Sequence, residues 1–278
     1  MSTRARFDNA RGGGWTNLFF LAMSMSLPTL AHAESGAKGA AAGCQPVAFA
    51  TGTVANVVDA RSFALADGRE VRLAGIEIPA ADGAPARAKE RAADLLSGAT
   101  VVLRGLGSEH DRYGRLWAQV FVATADGERW VQAELVASGH AVLAARVGDR
   151  ACAAELARRE RAARQARLGA WADADYLVRR ADDPAAVAAE RGRFAIVEGN
   201  VLSVRESGST IYVNFGRRWS EDFTVTIAKR NERVFASAGI APKSLAGRRV
   251  RVRGWIEERG GPWVEATRPE QIELVERN

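Results

Sequence analysis

The chain has 278 residues, 47% hydrophobic and 26% charged, with a formal net charge of +6. That balance excludes disorder as the default, and the length suffices for two modest globular domains, each with its own core.

The first residues carry Arg4, Arg6 and Arg11, then the apolar run "NLFFLAMSMSLPTL", then Ala31-His32-Ala33. These are the basic, apolar and A-x-A parts of a secretory signal, expected over residues 1–33 with cleavage after Ala33. The alternative, a membrane anchor, is weakened by the serines and Pro28 in the run, which falls short of the roughly 20 residues a spanning helix needs. A small-residue linker, "ESGAKGAAAG", opens the segment 34–46. "AAGC" ending at Cys44 has the look of a lipoprotein processing box but lies well beyond the apolar run. An exported chain meets an oxidising compartment, and Cys44 and Cys152 are its only thiols. One disulfide between them is therefore expected, with two unpaired thiols as the alternative.

The pattern then turns to β. "FATGTVANVV", "SFALADG" and "EVRLAGIEI" are short alternating runs, with Asp67-Gly68 as a hairpin turn between the second and third. "APARAKERAADLLSG" reads as a helix, "TVVLRGLG" and "RLWAQVFVA" as strands, "WVQAELVASG" as a short helix and Arg150 to Ala170 as a long one. This order predicts a small Greek-key barrel of the OB type with added helices over 47–172, within a β-rich α+β class. The polar, Ala-rich run containing Asp183-Pro184 predicts a linker over 173–192. Strand, strand, strand, helix, strand, strand then recurs over 193–278 and predicts a second, OB-like small β-barrel. From Arg191 onward there are 16 basic and 11 acidic residues, so attraction to a polyanion is concentrated in this C-terminal part.

Residues 47–171 resemble the staphylococcal nuclease (thermonuclease) family through "VVDARSFAL", "REVRLAGIEIPA", "HDRYGRLWAQVFV", "WVQAELVASGHA" and the closing "ARLGAW", in the family's order and spacing. The resemblance implies a calcium ion held by two acidic side chains and a backbone carbonyl, a glutamate acting as or near the general base, and two arginines stabilising the transition state of phosphodiester hydrolysis. Carried over, the arginines are Arg72 and Arg115. The first metal-binding aspartate is replaced by Arg61, its preceding glycine by Ala60 and the following threonine by Ser62; the second aspartate is Glu77; the glutamate after Pro79 is Ala80. A cation at a ligand position repels a divalent ion, and an alanine takes no proton.

Rescue would need Asp82 as a substitute base, Glu77 or Asp59 as metal ligands of a rearranged site, or Arg61 taking over part of the metal's work as a third arginine around a phosphate. Asp82, in "AADGAP", also reads as an ordinary turn residue. Two readings stay open for the retained arginines. Either they grip a phosphodiester, or Arg72 is held by Glu77 or Asp111 while Arg115 caps the "DRYGR" turn. Tyr113 either flanks a bound nucleotide or packs locally. In "RRVRVRGW", Arg249, Arg251, Arg253 and Trp255 share one strand face, which with Tyr212, Trp219 and Arg217-Arg218 forms either a nucleic-acid groove or a solvated face. His110 and His140 form no zinc pattern with the cysteines.

The expectation is an exported protein, periplasmic or extracellular, that binds nucleic acid or another phosphodiester polymer without stable membrane insertion after signal cleavage. No cofactor is expected unless the site is rebuilt, in which case calcium returns. An active nuclease with a rearranged site, and a cell-envelope module that recognises another protein, are the alternatives.

Overall fold

The computed structural model describes residues 44–105, 110–173, 177–218 and 220–275. The signal segment, most of the first linker and Trp219 lie outside the described residues. Eight strands occupy the first part: β1 (Ala48–Asp59), β2 (Ser62–Leu65), β3 (Glu70–Leu73), β4 (Ile76–Glu77), β5 (Thr100–Arg104), β6 (Leu116–Thr124), β7 (Gly127–Trp130) and β8 (Val142–Leu143). Three helices join them: α1 (Ala84–Leu96), α2 (Val131–Ala137) and α3 (Arg150–Gln165). The sheet runs β3-β2-β1-β5-β6-β7, and a further parallel pairing of β3 with β6 closes five of its strands into a barrel. The predicted five-stranded barrel with added helices is therefore present.

Alternation fills the barrel: Phe63, Leu65, Val71, Leu73, Val101, Leu103, Ala118 and Val120 all turn inward and are buried. Full burial of side chains of this size stabilises by about 1.5–3 kcal/mol each. In α1 the apolar residues Ala84, Ala88, Ala92 and Leu95 recur at helical spacing and are its buried stripe, while Pro85 starts the helix. Two buried glutamines tie the strands to the helices without leaving polar atoms stranded. Gln119 donates to the Val147 carbonyl (2.8 Å) and accepts from the Trp130 indole (3.0 Å), and Gln132 bridges the backbone of Ala118 and Val120. Cys44 and Cys152 form the expected disulfide across 108 positions, fastening the start of the described chain to α3. A loop of that length is worth about 4 to 5 kcal/mol in the chain-entropy model.

The C-terminal part carries β9 (Val178–Arg180), β10 (Phe194–Asn200), β11 (Ser203–Ser207), β12 (Thr210–Asn214), β13 (Thr224–Ala228), β14 (Arg249–Trp255), β15 (Glu257–Arg259), β16 (Gly261–Glu265) and β17 (Ile272–Leu274). They make two ladders, β17-β14-β10-β9 and β11-β12-β13-β16-β15, around a core that includes Val213, Val225, Phe235, Val252 and Val264. The region is β-rich as expected, but its strands form two separate sheets rather than one closed ladder. The segment read as a linker is also folded where it is described. β9 pairs in parallel with β10, and Pro184–Ala188 is a helical turn capped by the Asp183 side chain. A polar segment can thus be recruited as an edge strand because its backbone, not its side chains, makes the ladder.

The two β bodies are joined by charge as well as by apolar contact. Arg253, 1% exposed, places its guanidinium on the Glu160 carboxylate of α3, 2.8 Å from each oxygen, and on the Leu143 carbonyl at 3.2 Å. Glu160, equally buried, also accepts the Leu143 N–H at 2.6 Å. Beside this pair, Glu273 receives Arg164 (2.9 Å), Arg251 (3.1 Å) and Arg253 (3.2 Å). Val142, Ala163, Trp171 and Ile196 form the apolar part of the seam. The alternation along β14 is as expected, but the arginine face is not a groove. Arg253 and Arg251 are buried against acids, and Arg249 pairs with Glu198 at 2.8 Å.

Two outcomes follow from this seam. Arg253→Ala strands the Glu160 carboxylate in a dry environment and is expected to cost about 3–5 kcal/mol in urea unfolding. Burial alone would raise the Glu273 pKa, but the guanidinia of Arg253, Arg164 and Arg251 hold it at about 2, against an ordinary 4.5. A carboxyl depressed on folding contributes stability that is present above its unfolded value and is lost as pH falls towards the folded one. Unfolding free energy should therefore drop by up to about 3 kcal/mol between about pH 5 and 2, and Glu273→Gln should flatten that part of the profile.

Candidate functional site

Arg72 lies in the middle of β3, opposite Ser62 of β2 on one side and Trp117 of β6 on the other. Arg115 closes the turn that leads into β6. In that turn the Asp111 side chain accepts the backbone N–H of Tyr113 (2.8 Å) and of Arg115 (3.0 Å), while its other oxygen faces the Arg115 guanidinium at 2.7 Å. Gly114, at φ 81°, supplies the left-handed residue that the reversal needs. Both guanidinia then reach one hydroxyl: Arg72 and Arg115 each donate to Ser62 Oγ at 3.3 Å.

Arg61 enters from the β1–β2 turn, where Asp59 accepts its backbone N–H at 2.7 Å. Its guanidinium forms a direct ion pair with Glu77 and also donates to the Ile76 carbonyl at 3.3 Å. The short β4 can hold Glu77 there because Gly75 turns the chain at φ 76°, where a Cβ would lie 2.8 Å from the Val147 side chain. Burial raises the Glu77 pKa, and the neighbouring Arg61 and Arg72 offset that only in part. Among the described residues no cluster of three or more His, Cys, Asp or Glu could hold a metal ion, and the Glu77 carboxylate is already occupied by the Arg61 guanidinium, a donor set that does not fit calcium.

The charges around Arg72 decide what the site can hold. Asp111 is taken by Arg115 and Glu77 by Arg61, so among the described residues Arg72 has no carboxylate partner. Burial, with Arg61 and Arg115 close by, lowers its pKa. The charged form is thus held in an environment that disfavours it, and an anion would relieve the strain. Of the readings left open by the sequence, the turn-capping role of Arg115 is observed and the pairing of Arg72 with Glu77 or Asp111 is not. Tyr113 is 66% exposed and its ring lies against the guanidinia of Arg112 (4.8 Å) and Arg115 (5.1 Å), so it packs locally while remaining largely exposed.

Next to the Arg61–Glu77 pair is a cleft of about 510 Å³. Asp59 and Ala80 line it on the barrel side, as does Lys89 of α1, and the opposite wall comes from the C-terminal part through Arg193, Phe194 and Trp255. Phe194 and Trp255 meet edge to face at 6.5 Å, and Trp255 remains 52% exposed. Of the four β14 residues expected to bind nucleic acid, Trp255 alone is brought to this site. Asp82 is exposed, and the cleft is lined by Ala80 and not by it. Lys89, Arg193, Phe194 and Trp117 were not singled out by the sequence. Only their proximity in the fold marks them.

A family model described as staphylococcal nuclease homologue matches residues 70–173. Over that span the chain is similar to the staphylococcal nuclease homologue family. The span contains Arg72, Glu77 and Arg115, and stops short of Arg61 and of the C-terminal sheets. No match was found among curated proteins. A nuclease-like domain suggests nuclease activity or nucleic-acid binding, and the geometry above is the form that this domain takes in the present chain.

The Arg61–Glu77 pair yields a direct expectation. Arg61→Met should raise the Glu77 pKa further, because the nearest charge favouring the carboxylate is gone. A carboxyl whose folded pKa is raised loses stability as pH rises through that value, so the variant should be weaker near neutrality by about 1–3 kcal/mol and recover at acid pH. Carboxyl titration by NMR with parallel urea melts at two pH values reads both.

Proposed function

We propose that the protein binds nucleic acid, or another phosphodiester polymer, at the Arg72 centre, and that calcium-dependent hydrolysis there is impaired. One observation carries this reading: the Arg72 guanidinium, half-buried between two other guanidinia, has only the neutral Ser62 hydroxyl and the Trp117 ring (5.9 Å) as partners among the described residues. A phosphodiester supplies both the missing counter-charge and the paired acceptor oxygens that a guanidinium fork prefers. The exposed rings of Tyr113, in the Arg115 turn, and of Trp255, on the cleft beside Arg61 and Glu77, offer surfaces for base stacking.

Hydrolysis needs more than this grip. Water must lose a proton, and Ala80 cannot accept one; loss of a positioned base costs about 10²- to 10⁴-fold. The guanidinium of Arg61 holds positive charge beside Glu77 but cannot coordinate and activate a water as a metal does. A second reading, a nuclease with a rearranged site, is favoured by the raised pKa of Glu77, the one carboxyl in the cleft tuned towards proton transfer. In either case we read the chain as exported to an oxidising compartment, with which the Cys44–Cys152 disulfide is compatible. Among the described residues, no helix is long and apolar enough to cross a membrane.

The test is anisotropy and cleavage of a labelled single-stranded DNA by the purified protein, with calcium, with magnesium and with chelator. Binding should weaken steeply with salt as counterions are released, and Arg72→Gln should lower affinity about tenfold or more while leaving the fold intact. Cleavage should be absent or independent of calcium. Calcium-dependent cleavage abolished by Arg115→Ala would refute the impairment and install the rearranged nuclease.

A further inference from the structure

A groove of about 900 Å³, away from the Arg72 centre, lies on one face of the β11-β12-β13-β16-β15 sheet. Register places its side chains in rows. Arg205, Tyr212, Thr226 and Glu265 lie across four neighbouring strands in one row, and Ser203, Asn214, Thr224 and Trp263 in the next. The intervening residues Val204, Val213, Val225 and Val264 turn to the core, so the polar row is the groove floor and not a stray exposure.

Three features of this floor ask for a ligand. Thr224 is 8% exposed, lines the groove, and its hydroxyl has no hydrogen-bond partner among the described residues. The guanidinia of Arg205, Arg217 and Arg259 line the same groove, and none has an ion-pair partner among the described residues. Glu206, the nearest acid to Arg205 in sequence, is already bound by Lys229 (2.7 Å) and Lys243 (2.8 Å), which leaves Glu265 as the uncommitted carboxylate of the lining. Finally, one aromatic ring stands open in the floor: Tyr212 is 36% exposed, whereas Trp263 is 5% exposed and covered by the Arg259 guanidinium at 3.8 Å.

We propose that this groove is a second binding site, specific for single-stranded nucleic acid, in which Tyr212 stacks on a base and Arg205, Arg217 and Arg259 take the backbone. Unpaired guanidinia call for an anionic polymer, a stacking ring requires a base face that a duplex does not present, and the Thr224 hydroxyl and Asn214 amide suit base edges. An uncharged glycan would use the ring and hydroxyls but leave the three cations without purpose. The proposal goes beyond the Arg72 reading and stands without it.

The experiment is fluorescence anisotropy of a labelled oligothymidylate against the full chain, with the thermal midpoint of each variant checked first. Arg205→Glu with Arg217→Glu should lower affinity about tenfold or more and reduce the salt dependence by about two ions. Tyr212→Ala should lower it about fivefold or more, and Tyr212→Phe should restore it. A protein carrying Arg72→Gln and Arg115→Gln should keep a component of binding that Tyr212→Ala then removes. Affinity untouched by the groove variants overturns the proposal. If it is lost instead with the Arg72 and Arg115 changes, the nuclease-like centre is the sole site. A duplex bound as tightly as the single strand, or full displacement by an uncharged oligosaccharide, also overturns it.

Discussion

Arg253 and Glu160 meet where water is excluded, and two charges in that position are costly unless every remaining valence is answered. Most are: Glu160 also holds the Leu143 N–H, and Arg253 also holds the Leu143 carbonyl and shares Glu273 with Arg164 and Arg251. One is not, since Arg253 Nε is buried with no partner among the described residues. An apolar seam of the same volume would have escaped that cost. What the charges add is direction: a guanidinium chelated by a carboxylate, braced on a strand carbonyl, admits one way of docking β14 on α3, whereas Val142, Trp171 and Ile196 alone would tolerate sliding.

That direction matters because the far end of β14 carries Trp255. The strand is seven residues long, and its alternation commits Arg251 and Arg253 to the seam and Trp255 to the cleft beside Arg61 and Glu77. The opposite wall of the cleft is therefore a consequence of docking chemistry some distance away. Phe194, at the start of β10, is held against Trp255 by the same ladder, in which the two are register partners.

The order of strands in the barrel, the Asp67-Gly68 turn and the disulfide were all legible, because each rests on local pattern or on the arithmetic of two thiols. The resemblance put Arg72 and Arg115 at one centre and left Arg61 beside them as one option among several. What covered the arginine face of β14 was not legible. Alternation says that Arg249, Arg251 and Arg253 share a side, and nothing in a period of two says that Glu160, 93 positions earlier, will lie on it. The recruitment of Val178–Arg180 as a parallel edge strand was equally hidden, since a ladder is made by backbone groups that every sequence possesses. The Ser62 hydroxyl as shared acceptor of two guanidinia needed the register of β2 against β3, which composition does not fix.

Arg61 shows how a site can keep its charge and change its chemistry. A divalent ion in a nuclease centre does two things: it attracts the phosphate, and it polarises a water and the bonds around phosphorus. A guanidinium reproduces the first at Glu77 and not the second, because it offers hydrogens and no empty coordination site. Its fixed positive charge also needs no loading from solution, so the attraction persists at any calcium concentration. Around Arg72 this leaves a centre rich in cation, and the cleft beside Arg61 and Glu77 carries the rings of Phe194 and Trp255. Under the proposed function, such an arrangement would strengthen contact with the ground state of a phosphodiester about as much as with its transition state, and uniform strengthening raises affinity without raising turnover.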